Sequence, residues 1–423
     1  GPLAVMQTVP LDREVHQTTA PNGVMVLTER VASVRSAAVG IWVRSASVHE
    51  PRPKMGVSHL LEHMVFKGTE RRSAQEIALA LEARGGSLDA YTSRDTTAFQ
   101  ARVLDQDLPR AVDVLTDLVR RPLLRQEDLD LERNVVLEEI NMVDDTPDDL
   151  VFELHSRALY PDHPYGYSIL GTRETVSGLS AGELRALHGR GYYPGNVVVA
   201  AAGNLDHDQV LGLLEHEGWL EPGAAAPREA VAPAPARRGV HQRHERDTAQ
   251  THIVVGTDTF ATRDPRRWAL SVVTNVFGGG MSSRLFQRIR EELGLAYAVY
   301  AFQSLYQASG LAGSYIGTQP ATADQALEAI LAEYGRLARE GLTAQELADG
   351  KQQLKGQIML GLESPLSRMG RMASVALGQD RYRDLDQLLA EVDAITAEDV
   401  AAIAAEYFAP DRQTVVRLGP GGR

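Results

Sequence analysis

The chain repeats itself. At an offset of about 211 to 218 residues, Leu179-Ser180-Ala181-Gly182-Glu183-Leu184 through Tyr193-Pro194 matches Ile395-Thr396-Ala397-Glu398-Asp399-Val400 through Ala409-Pro410. Residues 64–68 likewise match 275–279, and 129–140 match 347–358. A duplication of this size constrains the fold more than any local pattern. Whatever one half of roughly 210 residues folds into, the other must resemble, and each is long enough to enclose a core of its own. Residues 222–238, rich in Ala and Pro, form the one clear linker and sit at the repeat boundary. A division near residue 230 is expected, with one domain over 1–230 and the other over 231–423. Strand-like runs such as 25–27, 37–43 and 197–201 are grouped with helical runs without regular alternation. That predicts an α+β fold of two homologous tandem sandwich domains, each an antiparallel-rich sheet with helices on one face.

His59-Leu60-Leu61-Glu62-His63 places two imidazoles and a carboxylate in five residues of an otherwise apolar segment. With 12 histidines and 56 acidic residues in 423 positions, chance supplies roughly 0.05 such pentads. Burying a carboxylate between two imidazoles is also costly without a cation. If 57–66 is helical, the imidazoles stand one turn apart and Glu62 follows His59 by three, so all three can face one way. Neutral imidazoles suit Zn2+, and a carboxylate that stays off the metal can take a proton from a water whose pKa the ion lowers to about 7. The order His-x-x-Glu-His inverts the commoner His-Glu-x-x-His and is itself a zinc-peptidase signature. A third ligand must come from elsewhere. The amphipathic stretch opening at Gln126-Glu127-Asp128-Leu129, with apolar Leu129, Val136, Ile140 and Val143, offers Glu132, Glu138 and Glu139. Glu132 and Glu139 share a helix face, whereas Glu138 points roughly 100° away from Glu139.

Together these residues resemble the M16 family, the pitrilysin, insulin-degrading and mitochondrial-processing type of peptidase, and in length its short bacterial members. In that family the third zinc ligand is a glutamate about 76 residues after the second histidine, with another glutamate seven residues before it. The resemblance therefore implies His59, His63 and Glu139 as ligands, Glu132 as the support behind them and Glu62 as general base. Gly85-Gly86-Ser87-Leu88-Asp89-Ala90-Tyr91-Thr92 looks like the family's Gly-Gly-x-x-Asn-Ala-x-Thr strand, which in relatives lies beside the zinc and pairs with an extended substrate. It implies Asp89, Ala90, Tyr91 and Thr92 as substrate-binding, with Asp89 standing where Asn is usual. Phe66 and Tyr91 are implied to line an apolar pocket for the residue after the scissile bond. Phe277-Gly278-Gly279-Gly280-Met281 through Leu285, followed by Arg290 and Tyr297, is similar to a second family motif in which an Arg and a Tyr complete the active site. A guanidinium offers fixed donors to a peptide carbonyl, and a phenol can donate to an oxyanion. The glycine run lacks the Gly-Lys-Ser/Thr ending of a phosphate loop.

The resemblance implies a LuxS/MPP-like fold and a zinc endopeptidase acting on peptides or unfolded protein segments bound as an added strand. In the alignment of the two halves His59, Glu62, His63 and Glu139 fall on Leu270, Val273, Thr274 and Gln357, so one Zn2+ per chain is expected. The longest relatives have four such domains and this chain two. A homodimer is expected, with Arg290 and Tyr297 of one subunit serving the zinc of the other. The alternative is a non-catalytic structural or partner subunit of an assembly, in which the fold is kept and the chemistry lost. A net charge of −13 without a basic cluster argues against nucleic acid, and hydrophobic runs are too short to span a membrane. There is no cysteine, hence no disulfide. Gly1-Pro2 reads as a cloning remnant with no signal-peptide pattern after it, so a bacterial cytoplasmic setting is expected. His241-Gln242-Arg243-His244-Glu245, highly charged and without a third ligand in view, reads as an exposed strand rather than a metal site.

Overall fold

The computed structural model describes residues 6–226 and 228–421, so Gly1-Pro2 lies outside the described residues. Strands β1 (Thr8–Pro10), β2 (Val15–Thr19), β3 (Met25–Arg30), β4 (Ser36–Val43), β5 (Ser87–Thr92), β6 (Thr97–Leu104) and β7 (Val197–Gly203) form one sheet. Strands β8 (His241–Glu245), β9 (Thr251–Thr259), β10 (Ala298–Leu305), β11 (Gly310–Thr318) and β12 (Thr414–Gly419) form a second. Their orders are β1-β2-β3-β7-β4-β6-β5 and β10-β11-β9-β12-β8. Read from one edge, β5-β6-β4-β7-β3 and β10-β11-β9-β12-β8 trace the same path. Each has its single parallel pair at the same place, β3 with β7 and β8 with β12. The duplication read from the sequence is therefore a duplication of topology, to which the first sheet adds β1 and β2. The fold is the expected pair of antiparallel-rich α/β sandwiches, and the charged segment 241–245 is indeed a mostly exposed strand.

The helices follow the sheets. Helix Ala181–Gly191 begins at Ser180, whose hydroxyl accepts from Glu183 N, and helix Ala397–Tyr407 begins at Thr396, which accepts from Asp399 N. The same cap opens the same helix in both halves, satisfying an amide that would otherwise lack a partner. Helices Gln126–Asp144 and Ala344–Leu360 likewise occupy equivalent places.

Compactness divides the chain differently from a single cut near 230. One unit comprises 1–140, 168–230 and 360–384, and the other 141–167, 231–359 and 385–423. In the first, one sheet face packs Val39, Ile41, Phe99 and Val199 under the main helical layer. Its other face, with Leu27, Ala38, Trp42, Val198 and Ala200, is covered by Met369, Met372, Ala373 and Ala376 of helix Pro365–Leu377. In the second, helix Pro147–Leu159 covers Val254, Tyr315, Val416 and Leu418 with Leu150, Val151, Leu154 and Ala158. The two covering helices are themselves repeat equivalents, each opening on a proline, and each packs on the sheet of the opposite half of the sequence. The expectations of domains 1–230 and 231–423, and of helices on one face only, are corrected accordingly. The cause is hydrophobic: β4, β7, β9 and β11 are buried at almost every position, so both faces of each sheet need cover.

Polar contacts hold the borrowed helices. Arg44 donates to the carbonyls of Leu377 (2.8 Å) and Ala376 (3.0 Å), closing the end of helix Pro365–Leu377. Burial, with a smaller contribution from Arg228, pushes the Arg44 guanidinium down to about 10. Arg368 pairs with the largely buried Glu29 at 3.0 Å. In the other unit His155, fully enclosed, donates from Nε2 to the Thr414 carbonyl at 2.9 Å.

Candidate metal centre

Residues 57–64 are helical as expected, and the helix Val57–Met64 is buried on every residue except His63. Leu60, Leu61 and Met64 have no exposure, and burying each contributes roughly 1.5–3 kcal/mol. Gly56 opens the helix at φ +92°, where a Cβ would stand 2.5 Å from the Leu170 carbonyl oxygen, so only glycine fits. Glu50, 4% exposed, accepts from the amides of Gly56 (2.9 Å) and Ser58 (2.8 Å). It supplies from outside the helix the carboxylate that a helix start favours.

The second element is helix Gln126–Asp144, whose buried face carries Leu129, Glu132, Val136 and Ile140. From it Glu139 sets Oε1 3.0 Å from His63 Nε2 and Oε2 3.6 Å from His59 Nε2. The two Nε2 atoms are 3.2 Å apart. Glu132, two turns earlier, accepts from His63 Nδ1 at 2.9 Å, which leaves Nε2 as the free lone pair. Its other oxygen takes Lys67 Nζ at 3.0 Å. Glu138 is exposed on the far side of the helix. Glu62, 9% exposed, lies with the two histidines in a cluster of possible ligand atoms within 4.8 Å of one another, and Thr92 Oγ1 donates to it at 3.1 Å. Among the described residues this is the one group of three such side chains that could hold a metal ion.

The donor set fits a tetrahedral cation. With bonds of about 2.0–2.1 Å to zinc, ligand atoms stand roughly 3.3 Å apart, in line with the separations between His59, His63 and Glu139. Charge is distributed unevenly around that point. Burial, then the neighbouring His63, lowers His59 against the pull of Glu139. Burial opposes protonation of His63 too, but bonds to Glu139 and Glu132 outweigh it and raise that ring. The His63 bond holds Glu139 below the usual carboxylate range, while burial raises Glu62 against His63 and Thr92. In the second unit the equivalent positions Leu270, Val273 and Thr274 are buried in the core, and Gln357 accepts from Asn275 at 3.2 Å.

The segment expected to bind substrate divides between two faces. β5 is the edge strand, paired with β6, and contacts helix Val57–Met64. Ala90 and Thr92 face that helix, and Phe66 packs nearby on Phe99. Asp89 and Tyr91 project to the opposite face, where Trp42 Nε1 donates to the Tyr91 hydroxyl at 3.3 Å. A pocket lined jointly by Phe66 and Tyr91 is therefore corrected, because neighbours in a strand point apart. Arg290 and Tyr297 belong to the second unit. Arg290 lies on a π-helical turn, Phe286–Glu292, with its guanidinium 4.8 Å over the Phe286 ring. Tyr297 is 48% exposed, and nearby in the same unit the Tyr315 hydroxyl meets His252 Nδ1 at 2.7 Å. Glu50 and Lys67 belong to no motif. Their signal is a lone acid ahead of Gly56 and a lysine one turn past His63.

A family model described as insulinase, peptidase family M16, matches residues 25–173, and one described as the peptidase M16 inactive domain matches 178–354. The chain is 40% identical to an uncharacterised zinc protease of Streptomyces coelicolor over 96% of its own length and 90% of that protein's. It is 37% identical to the uncharacterised zinc protease YmxG of Bacillus subtilis, over 96% of this chain and 99% of that one. A solved structure titled as an M16 inactive domain from Pseudomonas fluorescens shares the fold at TM-score 0.89 and 21% identity, covering 99% of this chain and 98% of that one. A protease from Helicobacter pylori does so at 0.88 and 22%, covering 98% and 99%. By these matches the chain belongs to peptidase family M16, whose curated bacterial relatives are named zinc proteases.

Proposed function

We propose that the protein is a zinc-dependent endopeptidase with one metal centre per chain, held by His59, His63 and Glu139. The observation that carries this reading is the convergence of Glu139 on two Nε2 atoms 3.2 Å apart while Glu62 stands beside them on Thr92. Zn2+ held by these three residues would supply Lewis acidity at a peptide carbonyl and would lower the pKa of a water toward neutrality. Glu62 would act as general base toward the attacking water and as proton donor to the leaving amine, a task suited to a carboxyl that burial holds above its usual range. Glu132 keeps His63 in the tautomer that presents Nε2. The open edge of β5 offers main-chain groups to peptides or unfolded protein segments of varied sequence.

Arg290 and Tyr297 enter this reading from a second copy. In a two-fold homodimer the pair of one chain serves the metal centre of the other, binding a substrate carbonyl and an oxyanion. No helix among the described residues is long and apolar enough to cross a membrane, and the reading places the enzyme in a bacterial cytoplasm.

Replacement of Glu62 tests the assignment. Glu62→Gln should retain zinc and lose about 10²- to 10⁴-fold in peptide hydrolysis, whereas His63→Ala should lose both. A Glu62→Gln protein with near-parental hydrolysis would remove the general base. A zinc-loaded parent inert toward every peptide would leave the fold to an assembly role.

A further inference from the structure

We propose that Thr92 is a positioning residue for Glu62. Its hydroxyl holds one carboxylate oxygen and leaves the other to receive the proton. The inference rests on the reading of Glu62 as general base. Thr92 was expected, from its motif, to touch substrate. Its side chain is half-buried on the face turned to helix Val57–Met64, and its Oγ1 donates to Glu62 Oε1 at 3.1 Å. The terminal torsion of a glutamate is soft, with no deep staggered wells, so the helix alone does not set the plane of the carboxylate. A hydroxyl has one proton to donate. Spent on Oε1, it fixes the plane and leaves Oε2 as the acceptor.

The surroundings make this donor a fixed point. Thr92 closes β5 opposite Thr97, whose hydroxyl donates to the Ser45 carbonyl at 2.8 Å. The turn beyond is pinned by Ser93 N to Thr96 O at 2.8 Å and by Ser93 Oγ to the same carbonyl at 2.9 Å. Val48 N donates to Arg94 O at 2.9 Å, tying the turn to the loop from which Glu50 holds the amides of Gly56 and Ser58. Donor and carboxylate therefore sit at two ends of one closed circuit of hydrogen bonds: hairpin tip, loop, helix. The edge strand that would carry substrate and the base that would act on it share a single rigid reference.

Thr92→Val keeps the shape and the strand preference and removes the donor. The expected result is a fall of about tenfold in kcat, from a misaligned base, with KM and zinc retention against a chelator unchanged. Thr92→Ser, which returns the hydroxyl without the methyl, should recover most of kcat. In the double variant Thr92→Val with Glu62→Gln, hydrolysis should be no lower than in Glu62→Gln alone, because Thr92 acts only through that carboxylate. Parental kcat in Thr92→Val, a change confined to KM, equal rates for the Val and Ser variants, or additive losses in the double variant would each overturn the proposal. If Glu62→Gln itself stays active, the base assignment has failed, and that outcome is distinct from a failure of Thr92 to position it.

Discussion

Three glutamates within eight positions of one helix meet three different fates, and the helical repeat decides which. Glu139 faces both imidazoles, Glu132 stands two turns behind on the same face and bonds His63 Nδ1, and Glu138 points to solvent. Removing the charge at each should separate them. Glu139→Gln should weaken zinc by more than about 100-fold, and Glu132→Gln by roughly 10- to 100-fold. Glu138→Gln, making no contact with the cluster, should leave affinity within about twofold. Competition titrations against a chelator would rank them, and a larger loss at Glu138 than at Glu139 would move the ligand. This much was readable in the residues, since a shared face follows from spacing alone. Tyr91 illustrates an opposite case. The motif grouped it with Thr92, yet adjacent strand residues face apart, and it bonds Trp42 on the far side of the sheet.

At the scale of elements, the eight-residue helix Val57–Met64 is too short to be stable by itself. Its core contacts and the Glu50 carboxylate at its start hold it, and the latter gives it a pH dependence. Burial raises Glu50 from 4.5 to about 7, against the pull of the Gly56 and Ser58 amides and of Arg94. The sign follows from a folded pKa above the unfolded one. Well below 4.5 the group is neutral in both states. Between there and about 7 the unfolded chain ionises first, so the folded state loses stability as pH rises, by at most roughly 3 kcal/mol. Glu50→Gln does not titrate. The unfolding free energy of the variant minus that of the parent should therefore increase across this window and level off above it. Urea unfolding of both proteins at a series of pH values would show the trend, and a difference that ignores pH would rule out the shifted carboxyl.

The whole molecule is organised by exchange. Because helix Pro365–Leu377 covers the sheet built from β1–β7 and helix Pro147–Leu159 covers the other, a chain cut at the linker yields two pieces that each lack a cover. Residues 1–230 produced alone should expose the face bearing Leu27, Trp42 and Val198, bind a hydrophobic dye and aggregate, whereas co-production with 231–423 should restore a compact, soluble pair. A soluble, cooperatively unfolding 1–230 fragment would contradict this. The proposed dimer has its own test. One Glu62→Gln chain paired with one Arg290→Ala chain leaves one site with both defects and one with neither. Co-refolded mixtures should then regain up to about half the activity of a parental dimer per mixed pair, if the sites are independent. Mixtures shown by mass to contain such heterodimers, yet inactive, would confine Arg290 to its own chain or to no role.

The sequence by itself determined the duplication, the architecture class, the one-turn pairing of His59 and His63 with Glu62 between them, and the absence of those residue types at the matching positions of the second half. Each of these is a matter of local spacing: a fixed offset, a helical period, a strand period. Glu139 as their partner was implied by the family resemblance. Only the tertiary structure decided that two equivalent helices change sheets, that Glu50 holds the start of helix Val57–Met64, that Lys67 pairs with Glu132, and that Thr92 bonds Glu62. Those contacts join residues whose separation along the chain carries no periodic signal. They arise because buried apolar faces and buried polar groups accept whatever partner the packed chain brings within reach.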